Sequence, residues 1–188
     1  MVKKIACIII LLICLGCAPK ASFYISPDYD FSFIKKVAVL PLENFTNERT
    51  AGSIVTHVVI SELLASGLVD VAPPGDVVAA LQNLRINPGS SLTTEQIKAI
   101  SKTLNVQAVI FGSVNKYAQV TEGNISYPEI SITLMMADAT SGTIIWSVTK
   151  TTEKPNFWVK HFGAKADTIS EALEKVVRNA IQTLYKLK

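Results

Sequence analysis

Apolar positions recur along this chain at two spacings, every second residue in some stretches and every third or fourth in others. Lys36–Leu42 has Val37, Val39 and Pro41 on one side and Ala38, Leu40 and Leu42 on the other. Two apolar faces predict a strand inside a sheet covered on both sides. Val106–Val114 repeats the pattern, with Val106, Ala108, Ile110 and Val114 set against Val109 and Phe111. Gly112 within it marks a bend or a close backbone approach. Leu68–Ala72 predicts a shorter strand. Ile130–Ala137 and Thr143–Thr149 predict an antiparallel hairpin. Asp138 would start its turn, and Gly142 would take a positive φ. In the second arm Ile144, Trp146 and Val148 share one face, and Thr143, Ser147 and Thr149 the other. That half-polar pattern belongs near a sheet edge.

The helical spacing appears in four stretches. In Ala51–Ser66, residues Val59, Ile60, Leu63 and Leu64 with Thr56 form a core-facing arc. Ile54, Val55 and Val58 form a second apolar arc. A surface helix needs only one, so the second is covered by a neighbouring helix or faces another copy of the chain. The polar loop Glu43–Thr50 precedes this helix, with Asn and Thr residues suited to turns and caps. Pro73-Pro74-Gly75 introduces a short helix over 76–84, and Asn87–Ser91 reads as a loop. Thr93-x-x-Gln96 is a capping box opening a helix over 94–104, with Leu92 and Ile97 placed as a hydrophobic staple. Thr168-x-x-Glu171 is a second box. The helix over 168–187 aligns Ile169, Leu173, Val176, Val177, Ala180, Ile181 and Leu184. Glu171–Lys175 and Glu174–Arg178 are spaced as i,i+4 ion pairs. Together these elements predict a single α/β domain over 35–188. It is three-layered, with a mixed β-sheet whose central strands are 36–42 and 106–114 and whose antiparallel hairpin is 130–137/143–149.

Residues 1–34 do not fit that pattern. Lys3 and Lys4 precede an apolar run, IIILLICLGCA over Ile8–Ala18. A basic start, a short apolar core and a small residue before the cut make a secretory signal peptide. The core is about half of the ~20 apolar residues a spanning helix needs. Cys17 directly after Leu15-Gly16 resembles a bacterial lipobox, with Cys14 where Leu is usual. The resemblance implies cleavage after residue 16 and acylation of Cys17; the plain alternative is a signal peptide cut elsewhere. With no Asp after the cysteine, it also implies the periplasmic face of the outer membrane. Ala18–Ile34 then reads as a tether. Phe23, Tyr24, Tyr29, Phe31 and Phe33 give it more aromatics than a spacer needs, either to pack onto the domain or to bind a partner.

Composition removes other functions. The formal charge of +3 arises from 18 basic and 15 acidic residues, and loss of Lys3 and Lys4 leaves 16 against 15. No basic stripe for nucleic acid is present. Cys7 and Cys14 lie in the signal core, so the mature chain keeps only Cys17 and has no disulfide. One lipidated cysteine with His57 and His161 makes no zinc site. The sequence has no nucleophile elbow, metalloprotease helix, P-loop or dinucleotide fingerprint. It therefore reads as a non-enzyme without metal or cofactor.

Taken in order, VAVLPLENFTNE, SELLASGLVDVAPPGDVVAAL, NVQAVIFGSV and ITLMMADATSGTIIWS, followed by an amphipathic helix, resemble the CsgG/LpoB group of periplasmic lipoproteins. That domain is also similar to the N-terminal domain of TolB. The resemblance runs from about Lys36 to Leu187, carried by Asn44, Thr46, Gly112, Asp138, Thr140 and Gly142. It implies a binding, assembly or regulatory module of the cell envelope. The partner would be a peptidoglycan synthase or a secretion component, with homo-oligomerisation open. The curli-type channel of that group carries two membrane hairpins. Here Asn115–Glu129 must hold a strand end, a loop and a strand start, and Lys150–Asp167 is highly charged, so neither is expected to span a membrane. The surfaces to test for a partner are Phe157, Trp158 and Phe162, the loop Gln119–Tyr127 and the arm Phe23–Phe33. For an oligomer it is Ile54, Val55 and Val58.

Overall fold

The computed structural model describes residues 23–87, 91–123, 125–153 and 167–187. Its strands are β1 (Phe23–Ile25), β2 (Lys36–Val39), β3 (Glu43–Asn44), β4 (Asp70–Val71), β5 (Ala108–Glu122), β6 (Ile125–Asp138) and β7 (Ile144–Thr151). The helices are α1 (Ala51–Ser66), α2 (Pro74–Asn83), α3 (Thr94–Leu104) and α4 (Ile169–Ile181), with a 3-10 turn at Phe31–Phe33 and another at Gln182–Leu187. The sheet runs in the order β1-β7-β6-β5-β2-β4, with β3 added beside β5. It is mixed: β2 is parallel to β4 and β5, while β5-β6-β7-β1 is antiparallel throughout.

The doubly apolar strands are buried for the expected reason. Val37, Val39, Ala108, Ile110, Leu134 and Trp146 pack under α1 and α4. Ala38, Leu40, Val109 and Ala137 pack under α2 and α3. Each wholly buried large apolar side chain contributes roughly 1.5–3 kcal/mol. Trp146 is fully buried, and its indole N–H donates to Thr183 Oγ1 at 2.9 Å. Both capping boxes form: Thr93 with Gln96, and Thr168 with Glu171. Six residues of α4 are buried, including Leu173, Val177 and Ile181.

Two glycines meet geometric demands. Gly112 has φ +154°, and a Cβ there would overlap the Thr133 carbonyl oxygen. Gly142 has φ +73°, and its Cβ would stand 2.5 Å from Thr94 Cγ2. The β6–β7 turn is thereby seated on the start of α3.

Several expectations need correction. The tether does not run to residue 34: β1 pairs with β7, and Tyr29 and Phe31 pack on the core. No loop lies at Gln119–Glu122 or Ile125–Tyr127. β5 and β6 continue as paired strands from Tyr117↔Ile130 to Glu122↔Ile125, turning at Gly123 with φ +63°. Val120, Thr121, Ile125 and Tyr127 are good strand formers, and that preference outweighs the scattered polar residues. Ile144 does not share a face with Trp146. A bulge at Ile145 leaves Met136↔Trp146 and Ala137↔Ile144 in register, so Ile145 is buried and Ile144 is 44% exposed. The charges of α4 also reach further than the expected i,i+4 spacing: Lys175 holds Asp167 at 2.7 Å, and Arg178, within the field of Glu174, forks onto Glu62 of α1 at 3.0 and 3.1 Å.

Helix α1 also turns differently. Its buried residues are Ala51, Gly52, Val55, Thr56, Val59 and Leu63, while Leu64 is 56% exposed. The small residues decide this. Gly52 brings the helix so close to the segment joining β2 and β3 that a Cβ would stand 2.9 Å from Leu42 O. Thr56 accepts from Leu42 N at 3.1 Å and donates to Gly52 O at 2.7 Å.

Candidate functional site

The end of the sheet where β2 and β4 begin and β6 finishes carries a groove of about 340 Å³. Phe31, Ser32, Ile34, Lys35, Leu68, Val69, Met136 and Leu184 line it. Its walls are apolar apart from Ser32 and Lys35. One wall is the segment between β1 and β2, and local chemistry fixes that segment's path. Asp30 accepts from Ser32 N at 2.8 Å and starts the 3-10 turn. Ile34, 5% exposed, pins the turn to the core. Phe33, between two lining residues, is 71% exposed.

Two side chains fasten this segment across long sequence separations. Gln107 Oε1 accepts from Lys35 N and Lys36 N, at 3.2 and 2.8 Å. The Tyr29 hydroxyl donates to Asp138 Oδ1 at 2.5 Å, and its ring meets Phe31 edge-on at 5.0 Å. Asp138 Oδ2 accepts from Thr140 N, Ser141 N and Ser141 Oγ within 3.0 Å. Burial alone would raise the Asp138 carboxyl, but the donors from Tyr29, Ser141 and Thr140 outweigh it and hold it below the usual range. Burial first, then the hydrogen bond to Asp138 and its charge, push the Tyr29 phenol well above its ordinary value. Asp138 was legible as a turn residue. Its second role, as the catch for Tyr29, has no local signal because the two are 109 positions apart.

Of the expected site residues, Cys17, Phe157, Trp158 and Phe162 lie outside the described residues. On α1, Val55 is fully buried, Val58 is half-buried and packs on the core, and Ile54 is 39% exposed. The expected face thus retains Ile54 and part of Val58, with Leu64 on the same helix. His57 is exposed, its Nδ1 at 2.7 Å from Ser53 O. Of the arm, Tyr24 and Phe33 remain exposed. Among the described residues no helix is long and apolar enough to cross a membrane, and no cluster of His, Cys, Asp and Glu is suited to a metal.

Comparison with known proteins places these features. A family model described as "Peptidoglycan-synthase activator LpoB" matches residues 27–152. Solved structures share the fold. A PelC dodecamer from Paraburkholderia phytofirmans has a TM-score of 0.60 at 19% identity, over 88% of this chain and 96% of that one. Lipoprotein GNA1162 from Neisseria meningitidis has a TM-score of 0.57 at 14% identity, over 81% and 99%. LpoB of E. coli, by NMR, has a TM-score of 0.50 at 19% identity, over 72% and 73%. No curated protein matches the chain.

Proposed function

This chain belongs to the family of the peptidoglycan-synthase activator LpoB, and from that premise we propose that it is a non-enzymatic regulator of cell-wall synthesis. In this reading an acylated Cys17 holds it on the periplasmic face of the outer membrane, and the domain docks a peptidoglycan synthase. The observation that carries the reading is the family match over residues 27–152, which takes in β2 to β7, Tyr29 and the turn that catches it. The groove beside Phe33 supports it, as an apolar recess flanked by an exposed aromatic, the residue type enriched at interface hot spots. Phe157, Trp158 and Phe162 are a second candidate surface for the same partner.

The test is capture of a purified peptidoglycan synthase by the mature protein, together with the rate of glycan polymerisation. Phe33→Ala and Trp158→Ala should each weaken capture while the far-ultraviolet spectrum and melting temperature stay unchanged. Unaltered capture by both variants, or no stimulation by the native chain, would refute the reading.

One observation favours an assembly role alongside it. The PelC structure that shares this fold is described as a dodecamer. A ring built through the exposed side of α1 would fit an accessory of an export system. Light scattering of the acylated protein in mild detergent separates the two readings: a monomer removes the ring.

A further inference from the structure

The direction of β1 fixes where the chain leaves the domain. β1 is antiparallel to β7, with Phe23 opposite Val148 and Ile25 opposite Trp146. The chain therefore enters β1 from the end at which β7 finishes, and that is the end from which β5 and β6 project. The register carries the level of Phe23 across the sheet through Val148, Leu134 and Gly112. From Leu134 to Ile125 is 134 − 125 = 9 residues of β6, so the ribbon runs about 30 Å past that level at ~3.3 Å per residue. From Cys17 to Phe23 is 23 − 17 = 6 residues. Fully extended, they reach about 20 Å.

We propose that the tip of the β5–β6 ribbon rests on the lipid headgroups of the bilayer that holds the acyl chains, with the groove turned away from the membrane. The inference depends on Cys17 being the acylated residue. A plane within about 20 Å of Phe23 at this end lies nearer than the ribbon's full reach of about 30 Å, so the sheet leans until the tip lies at the headgroups, with the opposite end held away from them. The ribbon's chemistry suits a zwitterionic headgroup layer. Val120 and Ile125 are half-buried at its tip, beside exposed Thr121 and Ser126. Lys116 is paired with Glu129 at 2.7 Å at the base. Glu122 is the single charged residue from Tyr117 to Tyr127. The occupant is a lipid surface, touched at headgroup depth; a ribbon tip this polar, whose backbone groups need water or protein partners, does not enter the hydrocarbon.

The chain supplies its own labelling scheme, because Cys17 is the only cysteine left after cleavage and acylation occupies it. Thr121→Cys and, as a second tip position, Ser126→Cys would carry a fluorophore. Thr140→Cys would carry it at the opposite end of the sheet. The acylated protein is reconstituted in phosphatidylethanolamine–phosphatidylglycerol vesicles containing lipid with a headgroup nitroxide. Loss of fluorescence at the tip positions, and none at Thr140, is expected. A Gly/Ser insert of ~20 residues after Ala18, adding a coil of roughly 25 Å, should abolish it. Overturning results are an unquenched tip, equal quenching at both ends from a side-on posture, or tip quenching that survives the insert. The intact mass is read first. An unacylated chain refutes the lipoprotein reading and this inference with it, whereas an acylated chain with an unquenched tip refutes this inference alone.

Discussion

Tyr29→Phe removes a single oxygen and leaves the ring against Phe31. The lost bond is charge-assisted, and such bonds contribute about 1.5–3 kcal/mol. The pair is only partly buried, and Asp138 keeps its donors from Thr140 and Ser141, so the lower end applies. A loss of about 1.5 kcal/mol corresponds to a fall in Tm of roughly 3–6 °C for a domain of this size. Urea unfolding at neutral pH should lower the midpoint with an unchanged slope. The sign with pH follows from Asp138. Its carboxyl is lowered in the fold, so its contribution is complete above the unfolded value near ~3.9 and fades as pH falls through the folded value. The gap between wild type and Tyr29→Phe should therefore be full at neutral pH and shrink in acid. Hydrogen exchange should show β1 amides opening earlier in the variant, because the catch sits just beyond that strand. An unchanged midpoint, or a gap that stays constant into acid, would refute the argument that this bond holds the arm.

Other substitutions separate further parts of the account. Gly112→Ala forces a Cβ onto the Thr133 carbonyl at a φ that L-residues avoid; it should cost more than about 3 kcal/mol or abolish soluble expression, and a Tm near wild type would refute the close approach. Arg178→Ala removes a fork onto Glu62 whose arginine is half-exposed, so the fall in melting temperature should be small and should shrink further in high salt. Ile54→Glu, at an exposed position of α1, should leave the monomer's melting unchanged and dissociate any oligomer built on that face, as read by light scattering.

What the sequence disclosed follows from how local each signal is. Thr93 with Gln96, and Thr168 with Glu171, announce helix starts within four residues, and both form. The doubly apolar strands were legible because burial on two sides leaves no polar alternation. Helix α1 was harder, since apolar residues surround most of its circumference. The deciding cue was the pair Ala51-Gly52, whose small size permits close approach to the chain just after β2, a property that hydrophobic spacing does not register. The bulge at Ile145 changes the strand's phase by one residue, and period-two reading has no means to detect that. The arm's docking and the catch between Tyr29 and Asp138 depend on partners more than a hundred residues away. No local pattern encodes them.

The edge strand has a consequence for the order in which the protein assembles. Phe23 finds its strand partner at Val148, 125 positions downstream. Closing a loop of that length is slow compared with forming the β5–β6 or β6–β7 hairpins. The first strand to be synthesised is thus the last that can be seated. Until it is, β7 presents an open edge to any neighbouring chain. Seating β1 both finishes the sheet and shields it, and Tyr29 can close on Asp138 only once the end of β6 is in place.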